Sequence, residues 1–389
     1  AAALAEHAGW SARADGPGLD KAGHAFLALG HASLALDAFR RAADELRRTA
    51  PDIRVTALGT EAGLEARLVP ARGYQLRFVP RVPLPRRPDR SLVRFPGSLA
   101  RAVSAAAEAI DETEAEVVVG FGGYVSSPAY LAARRRGIPI VVHEQNARPG
   151  FANRLGARLT PYVATTFPAT RLPRARCIGM PLRAEIAHLD RPARRAEGRA
   201  AFGLDPDRPT LLVTGGSLGA QRLNQTFAAR AAMLSAAGIQ VLHASGAGKG
   251  FVPDVPAGGA PYVVVDYVDR MELAYAAADL VVCRSGAGTV CELTAVGLPA
   301  VYVPLPIGNG EQRVNAADVV AAGGGLLVDD GACTPAWVEE TVLPLLADPD
   351  RIAVMSAAAA SVGRRGAATA LVELVAAAHR GGPQGGEPA

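Results

Sequence analysis

The feature that most constrains this chain is a series of short, unbroken apolar runs separated by Ala-, Leu- and Arg-rich stretches of helical length. The runs are IRVTALG (53–59), EVVVGFGG (116–123), IPIVVHEQN (138–146), TLLVTGG (210–216), IQVLHASG (239–246), ADLVVCRSG (278–286) and PAVYVPLP (299–306). A strand with one wet face alternates apolar and polar residues, whereas a strand covered on both faces reads as continuous apolar sequence. Runs of the second kind, spaced by helices, predict an α/β fold built on doubly wound parallel sheets. HAFLALG (24–30) is a candidate for an earlier strand.

The runs fall into two groups. Between them lie RLPRARCIGMPLR (171–183), a helical stretch, and GLDPDRPT (203–210), with Pro209 starting a new strand cleanly. The expected domains are therefore 1–184 and 185–380, followed by a disordered Gly/Pro tail, GGPQGGEPA (381–389). A length of 389 residues suits two domains at roughly 150 residues each, with room for larger ones. Ligands of open parallel sheets bind beyond the carboxyl ends of the strands, so two such domains are expected to form a cleft lined by strand-to-helix loops.

A net charge of +4 is small for this length and does not indicate a nucleic-acid binder. Cys177, Cys283, Cys291 and Cys333 lack C-x-x-C spacing and paired histidines, which predicts buried thiols in a reducing compartment rather than zinc or disulfides. The two DPD triplets, 205–207 and 348–350, read as turns rather than metal ligands because proline separates the acids. No run approaches a membrane span, and the first 20 residues lack a basic start followed by an apolar core, so a cytoplasmic location is expected. FVPRVPLPRRPDRSLVRFP (78–96) mixes Arg81, Arg86, Arg87, Arg90 and Arg94 with Leu84, Leu92, Val93 and Phe95, a combination suited to an anionic bilayer surface.

Polar residues gather where apolar runs end. In GGSLGA (215–220), Gly215, Gly216 and Gly219 permit a tight turn against a helix N-terminus, which serves either a diphosphate or close packing. In CRSGAGTVCEL (283–293), Ser285, Gly286, Ala287, Gly288 and Thr289 open a helix. Glu292 there is either the partner of Thr289 in a capping box or an acceptor for two ribose hydroxyls. PIGNGEQRVNA (306–316) supplies Glu311, Gln312 and Asn315, which suit sugar hydroxyls. GFGGYVSSP (120–128) and HEQNARPGFAN (143–153) end strands of the first half in Gly-Gly-Tyr and His-Glu-Gln-Asn.

In this order, VVGFGGYVSSPAYLAA, IVVHEQNARPGFANRLGA, GGSLGAQRLN, YVDRMELAYAAADLVVCRSGAGTVCEL and GLPAVYVPLPIGNGEQRVNA closely resemble the MurG-like family in its actinobacterial form. These are UDP-N-acetylglucosamine:undecaprenyl-pyrophosphoryl-muramoyl-pentapeptide N-acetylglucosaminyltransferases, which make lipid II for peptidoglycan. The resemblance implies a GT-B fold, two Rossmann-like domains with the nucleotide sugar held mainly by the second. It implies an inverting transfer of N-acetylglucosamine from UDP to the 4-hydroxyl of the undecaprenyl-linked muramoyl sugar. It places the enzyme peripherally at the cytoplasmic face of an anionic membrane, with no cofactor, metal or nucleic acid.

Position by position, the resemblance sets the uracil near Tyr267 and Val268, the ribose on Glu292, the diphosphate on Gly216 and Ser217, and the sugar on Glu311 and Gln312. Arg183, in GMPLR, is placed near the phosphates; Ser285, Gly286, Thr289 and Asn146 complete the donor set. Tyr124 and Asn153 match acceptor positions, and His143 and Glu144 are candidate catalytic groups. The resemblance fails at the first loop. A GGGTAGH-type sequence is expected near 29–35, where this chain has LGHASLA; Ala35 stands in the histidine's place, and His31 becomes the nearby catalytic candidate. Leu218 replaces a usual Gln, and Gly288 a larger apolar residue. Two alternatives follow: a related transferase of secondary metabolism acting on another lipid-phosphate sugar, and a non-catalytic UDP-sugar-binding paralogue.

Overall fold

The computed structural model describes residues 24–28, 33–63, 65–82, 90–216, 220–306 and 310–381. The chain divides into two units, Ala1–Pro181 with Gly366–Ala389, and Leu182–Arg365.

In the first unit seven strands form one sheet: β1 (His24–Ala28), β2 (Arg54–Gly59), β3 (Gln75–Phe78), β4 (Val117–Gly120), β5 (Ile140–Glu144), β6 (Tyr162–Thr165) and β7 (Ala175–Cys177). Their order is β3-β2-β1-β4-β5-β6-β7, and each neighbouring pair is parallel. The HAFLALG segment thus supplies the central strand from which the chain winds in both directions. β4 and β5 are buried along their whole length, as continuous apolar runs require. The Ser33–Thr49 helix covers the sheet with Leu36, Phe39, Ala43 and Leu46, spaced by three or four residues on one face.

The second unit has six parallel strands: β8 (Thr210–Thr214), β9 (Gln240–Ala244), β10 (Tyr262–Val265), β11 (Leu280–Cys283), β12 (Ala300–Tyr302) and β13 (Gly325–Leu327), ordered β10-β9-β8-β11-β12-β13. Its core joins Leu211 and Val213 of β8 to Leu223, Phe227, Val241, Val282 and Val301. Each such side chain taken from water contributes about 1.5–3 kcal/mol before the entropy of ordering is set against it.

The expected boundary near residue 184 lies three residues from the observed change of unit, but the second domain does not run to 380. The Ala367–Arg380 helix packs on β4, β5, β6 and the Ser33–Thr49 helix, with Thr369 Oγ1 donating to Glu45 Oε1 at 2.9 Å. It buries Leu371, Leu374, Val375 and Ala378 there. An apolar helical stripe specifies that a surface must be covered, not which one. Apart from Gly381, the expected tail lies outside the described residues.

The strands the apolar runs do not announce are β3, β6, β7, β10 and β13. Each is three or four residues long, and four of the five lie at a sheet edge, where one flank needs no partner; β6 is followed only by the three-residue edge strand β7. The 205–207 triplet is a turn as expected, with Asp205 Oδ1 accepting from Asp207 N at 2.8 Å; the 348–350 triplet is instead a helix start, where Asp348 caps the Pro349–Val362 helix by accepting from Arg351 N at 2.9 Å. Cys283 and Cys333 are buried thiols, whereas Cys177 and Cys291 are only half-buried. In the arginine-rich 78–96 segment, residues 83–89 lie outside the described residues. Within the remainder, the Arg81 guanidinium lies 4.8 Å over the Tyr124 ring.

Candidate functional site

The strand order of the second unit reverses between β8 and β11, the position at which doubly wound sheets bind ligands. β8 ends in Gly215–Gly216. Gly216 has φ +83°, and a Cβ there would meet no heavy atom within 4 Å, so the glycine answers to backbone conformation rather than close packing. Ser217 lies outside the described residues. β11 leads through Arg284 and Ser285 into the Ala287–Ala295 helix, capped by the extended backbone of Gly286 with no side-chain cap. This start, ahead of Thr289, removes the capping-box reading: Thr289 is already inside the helix. A Cβ on Gly286 would also meet open space, so the first N–H groups of the helix are approachable.

Glu292 sits in the second turn of that helix and is 8% exposed. Its Oε2 accepts from Tyr275 Oη at 2.9 Å, and its Oε1 lies 3.8 Å from Arg183 Nη2. Two buried donors of the second unit, Ser285 Oγ and Arg183 Nε, have no hydrogen-bond partner among the described residues. Native proteins seldom leave such groups unpaired, and a polar ligand satisfies them without rearrangement. β12 leads to the Glu311–Asn315 helix, where Gln312 Oε1 accepts from Leu305 N at 2.9 Å. That bond fixes the amide's orientation and directs Nε2 as the donor. Asn315 is buried, with Nδ2 donating to Ser285 O at 3.4 Å, and Glu311 is half-buried at the helix start. Beyond β10, the Tyr267 ring is 60% exposed while Val268 is buried.

The first unit gathers His143, Glu144, Asn146 and Asn153 at the end of β5; His143, Glu144 and Asn153 are buried and Asn146 is half-buried. His143 is fully buried; its Nε2–H donates to Gly179 O at 2.9 Å, and its Nδ1 accepts from Gln145 Nε2 at 3.2 Å. Burial lowers its pKa to about 4, leaving a neutral ring. Glu144 Oε1 accepts from Asn146 N at 2.9 Å, and its Oε2 accepts from Gly150 N at 3.0 Å and Asn153 Nδ2 at 2.9 Å. Burial raises the Glu144 pKa despite these bonds, which oppose the shift. Asn153 Oδ1 accepts from Tyr130 Oη at 2.9 Å. The polar atoms of His143 and Glu144, the candidate catalytic groups, and of Asn153, the candidate acceptor contact, thus bond within the first unit. Asn146, counted with the donor residues, belongs to this first-unit cluster. Tyr124 is half-buried beneath Arg81, and His31 lies outside the described residues.

Sequence reasoning missed three residues. Tyr130 fills the space over Gly120 and Gly156, where a Cβ would fall 2.0 Å from its hydroxyl oxygen and 2.6 Å from its ring. Tyr275 holds Glu292. Arg191 donates to the carbonyls of Tyr275 (3.1 Å), Ala278 (2.7 Å) and Gly297 (2.7 Å), joining the helices that carry Tyr275 and Glu292. A buried tyrosine opposite glycines is the one sequence signal available for the first of these.

Two family models match: the glycosyltransferase family 28 N-terminal domain over residues 37–165 and its C-terminal domain over residues 210–371. A Streptomyces avermitilis UDP-N-acetylglucosamine--N-acetylmuramyl-(pentapeptide) pyrophosphoryl-undecaprenol N-acetylglucosamine transferase is 59% identical over 331 residues, 84% of this chain and 91% of that one. The chain belongs to glycosyltransferase family 28. This family 28 enzyme has the GT-B fold of two Rossmann-like units. The crystal structure of Acinetobacter baumannii MurG matches at TM-score 0.76 and 27% identity, covering 91% of this chain and 99% of that one. A Neisseria meningitidis UDP-GlcNAc 2-epimerase matches at TM-score 0.60 but 14% identity, over 90% of this chain and 99% of that one, and so shares the fold alone.

Proposed function

We propose that this family 28 glycosyltransferase moves N-acetylglucosamine from UDP-N-acetylglucosamine to the 4-hydroxyl of a muramoyl pentapeptide carried on undecaprenyl pyrophosphate, converting lipid I to lipid II. The observation that carries this reading is 59% identity, along 91% of its length, to a relative whose name states that transfer. The acceptor oxygen bonds to the anomeric carbon as the bond from that carbon to the phosphate oxygen breaks. The electron pair leaves on UDP, and the configuration inverts.

In the second unit, Glu292 accepts the ribose hydroxyls and the exposed Tyr267 with buried Val268 borders the uracil. The Gly215–Gly216 turn and the N-terminus of the Ala287–Ala295 helix take the diphosphate, with Arg183 countering its charge. Gln312 Nε2 donates to the sugar, beside Glu311. The first unit takes the acceptor at the cytoplasmic face of an anionic membrane, and the enzyme is peripheral; among the described residues no helix is long and apolar enough to cross one. The hydroxyl proton passes to one of the candidate catalytic groups of the first unit, His31, His143 or Glu144.

A second reading, transfer to a different lipid-phosphate sugar, is favoured by LGHASLA at 29–35, which keeps only Gly30 of the first family loop's glycines and has Ala35 in the place of its histidine. Turnover with UDP-N-acetylglucosamine and a soluble lipid I analogue tests both: acceptor-dependent release of UDP is expected. A protein that binds UDP but releases none with this acceptor transfers to another acceptor or does not transfer at all.

A further inference from the structure

We propose that Tyr275 is a positioning residue for donor recognition: its hydroxyl sets the orientation in which the Glu292 carboxylate reads the ribose, and so sets the preference for ribonucleotide over 2′-deoxyribonucleotide. The proposal rests on the reading of Glu292 as ribose acceptor.

A glutamate side chain has three rotatable bonds, and a carboxylate accepts two vicinal hydroxyls only when its plane faces them. The ordering lost on binding is reduced if the protein has already fixed that plane. Tyr275 Oη, 2.9 Å from Glu292 Oε2, holds one oxygen from a neighbouring helix. Arg183 Nη2, 3.8 Å from Oε1, draws the other toward the second-unit site without closing a hydrogen bond on it. Each carboxylate oxygen accepts from more than one donor, so the oxygen bound by Tyr275 can still receive a hydroxyl.

The support itself is rigid. The Tyr275 ring is fully buried, and burial followed by the neighbouring Glu292 charge drives its pKa far up, so the phenol keeps its proton and always donates. Arg191 bonds to the carbonyls of Tyr275 and Ala278 at the end of one helix and of Gly297 beyond the end of the other. The two helices therefore cannot slide past each other without breaking charge-assisted bonds in a buried setting.

Calorimetric dissociation constants for UDP and 2′-deoxy-UDP, measured on the full chain, test the proposal. The native protein is expected to prefer UDP by about tenfold or more, the worth of one hydrogen bond to a charged group. Tyr275→Phe keeps the packed ring and is expected to narrow that preference about threefold to tenfold, by weakening UDP while leaving 2′-deoxy-UDP nearly unchanged. Glu292→Ala is the control and is expected to abolish the preference. If Tyr275→Phe weakens both nucleotides equally, or leaves their ratio intact while Glu292→Ala abolishes it, Tyr275 is only a packing residue and the proposal fails alone. If Glu292→Ala preserves the native ratio, the ribose reading of Glu292 fails and takes the proposal with it. Thermal unfolding of each variant separates loss of fold from loss of discrimination.

Discussion

Glu144 and Glu292 are both buried carboxylates next to the carboxyl end of a parallel strand, one in each unit, and their partners differ in origin. Glu144 is held by the N–H groups of Asn146 and Gly150 and the Asn153 amide, all within its own loop and the helix that follows. Glu292 is gripped from other elements, by a tyrosine hydroxyl on the preceding helix and a guanidinium at the start of the unit. The first arrangement spends the carboxylate on the shape of its own turn. The second presents it, oriented, beside donors that still lack partners. Burial and a negative charge are thus common to both, and the origin of their hydrogen bonds is what separates them.

The largest expected effect falls on the inward carboxylate. Glu144→Ala leaves three donors without their acceptor and is expected to destabilise the first unit by about 3 kcal/mol or more in denaturant unfolding, with UDP affinity unchanged. Weakened UDP binding with intact stability would break the comparison.

Acid sharpens it. His143 and His243 are buried with pKa values lowered to about 4, against an unfolded value near 6.5. The unfolded chain binds their protons first, so the stability each contributes is present above pH 6.5 and is lost as pH falls toward 4, by about 3 kcal/mol per histidine at most. Glu144, with its pKa raised, takes up a proton in the folded state sooner than when unfolded and opposes the loss in the first unit. Hydrogen exchange is thus expected to show β9 amides losing more protection than β5 amides over this range; equal losses would mean that Glu144 offsets nothing.

Glu292→Ala comes next, with UDP binding weakened by about 1.5–3 kcal/mol by calorimetry and a smaller loss of stability than Glu144→Ala, since it strands one buried donor, Tyr275 Oη, rather than three. A variant that unfolds early yet binds UDP normally would place Glu292 with Glu144. The smallest effect is at Gln312, whose replacement by Ala is expected to cost about 1 kcal/mol in kcat/KM with the sugar donor while sparing UDP binding. Equal losses in the two measurements would place the amide away from the sugar.

Much of this was legible in the sequence. TLLVT, LVVC and VVVG read as strands because a strand covered on both faces imposes apolarity on consecutive residues, a local record of a non-local environment. The turn at Gly216 was legible because a positive φ favours glycine. The short edge strands Gln75–Phe78 and Gly325–Leu327 were not, since a strand with one free flank needs little apolar sequence. At HEQN the polar residues were legible but their partners were not: Glu144 accepts from amides of its own loop, which adjacency in sequence does not reveal.

The sequence by itself determined the α/β class, two parallel sheets, a change of domain near residue 184 and the loops that gather at the strand ends, because burial periodicity and backbone strain act over a few residues. Tertiary structure decided the rest. It sent the Ala367–Arg380 helix back to the first sheet, slotted Tyr130 against Gly120 and Gly156, and tied Arg191 to Gly297, 106 residues away. It also decided which buried glutamate is consumed and which is presented. Such pairings depend on which surfaces meet when the chain closes long loops, and composition over a short window carries no record of that.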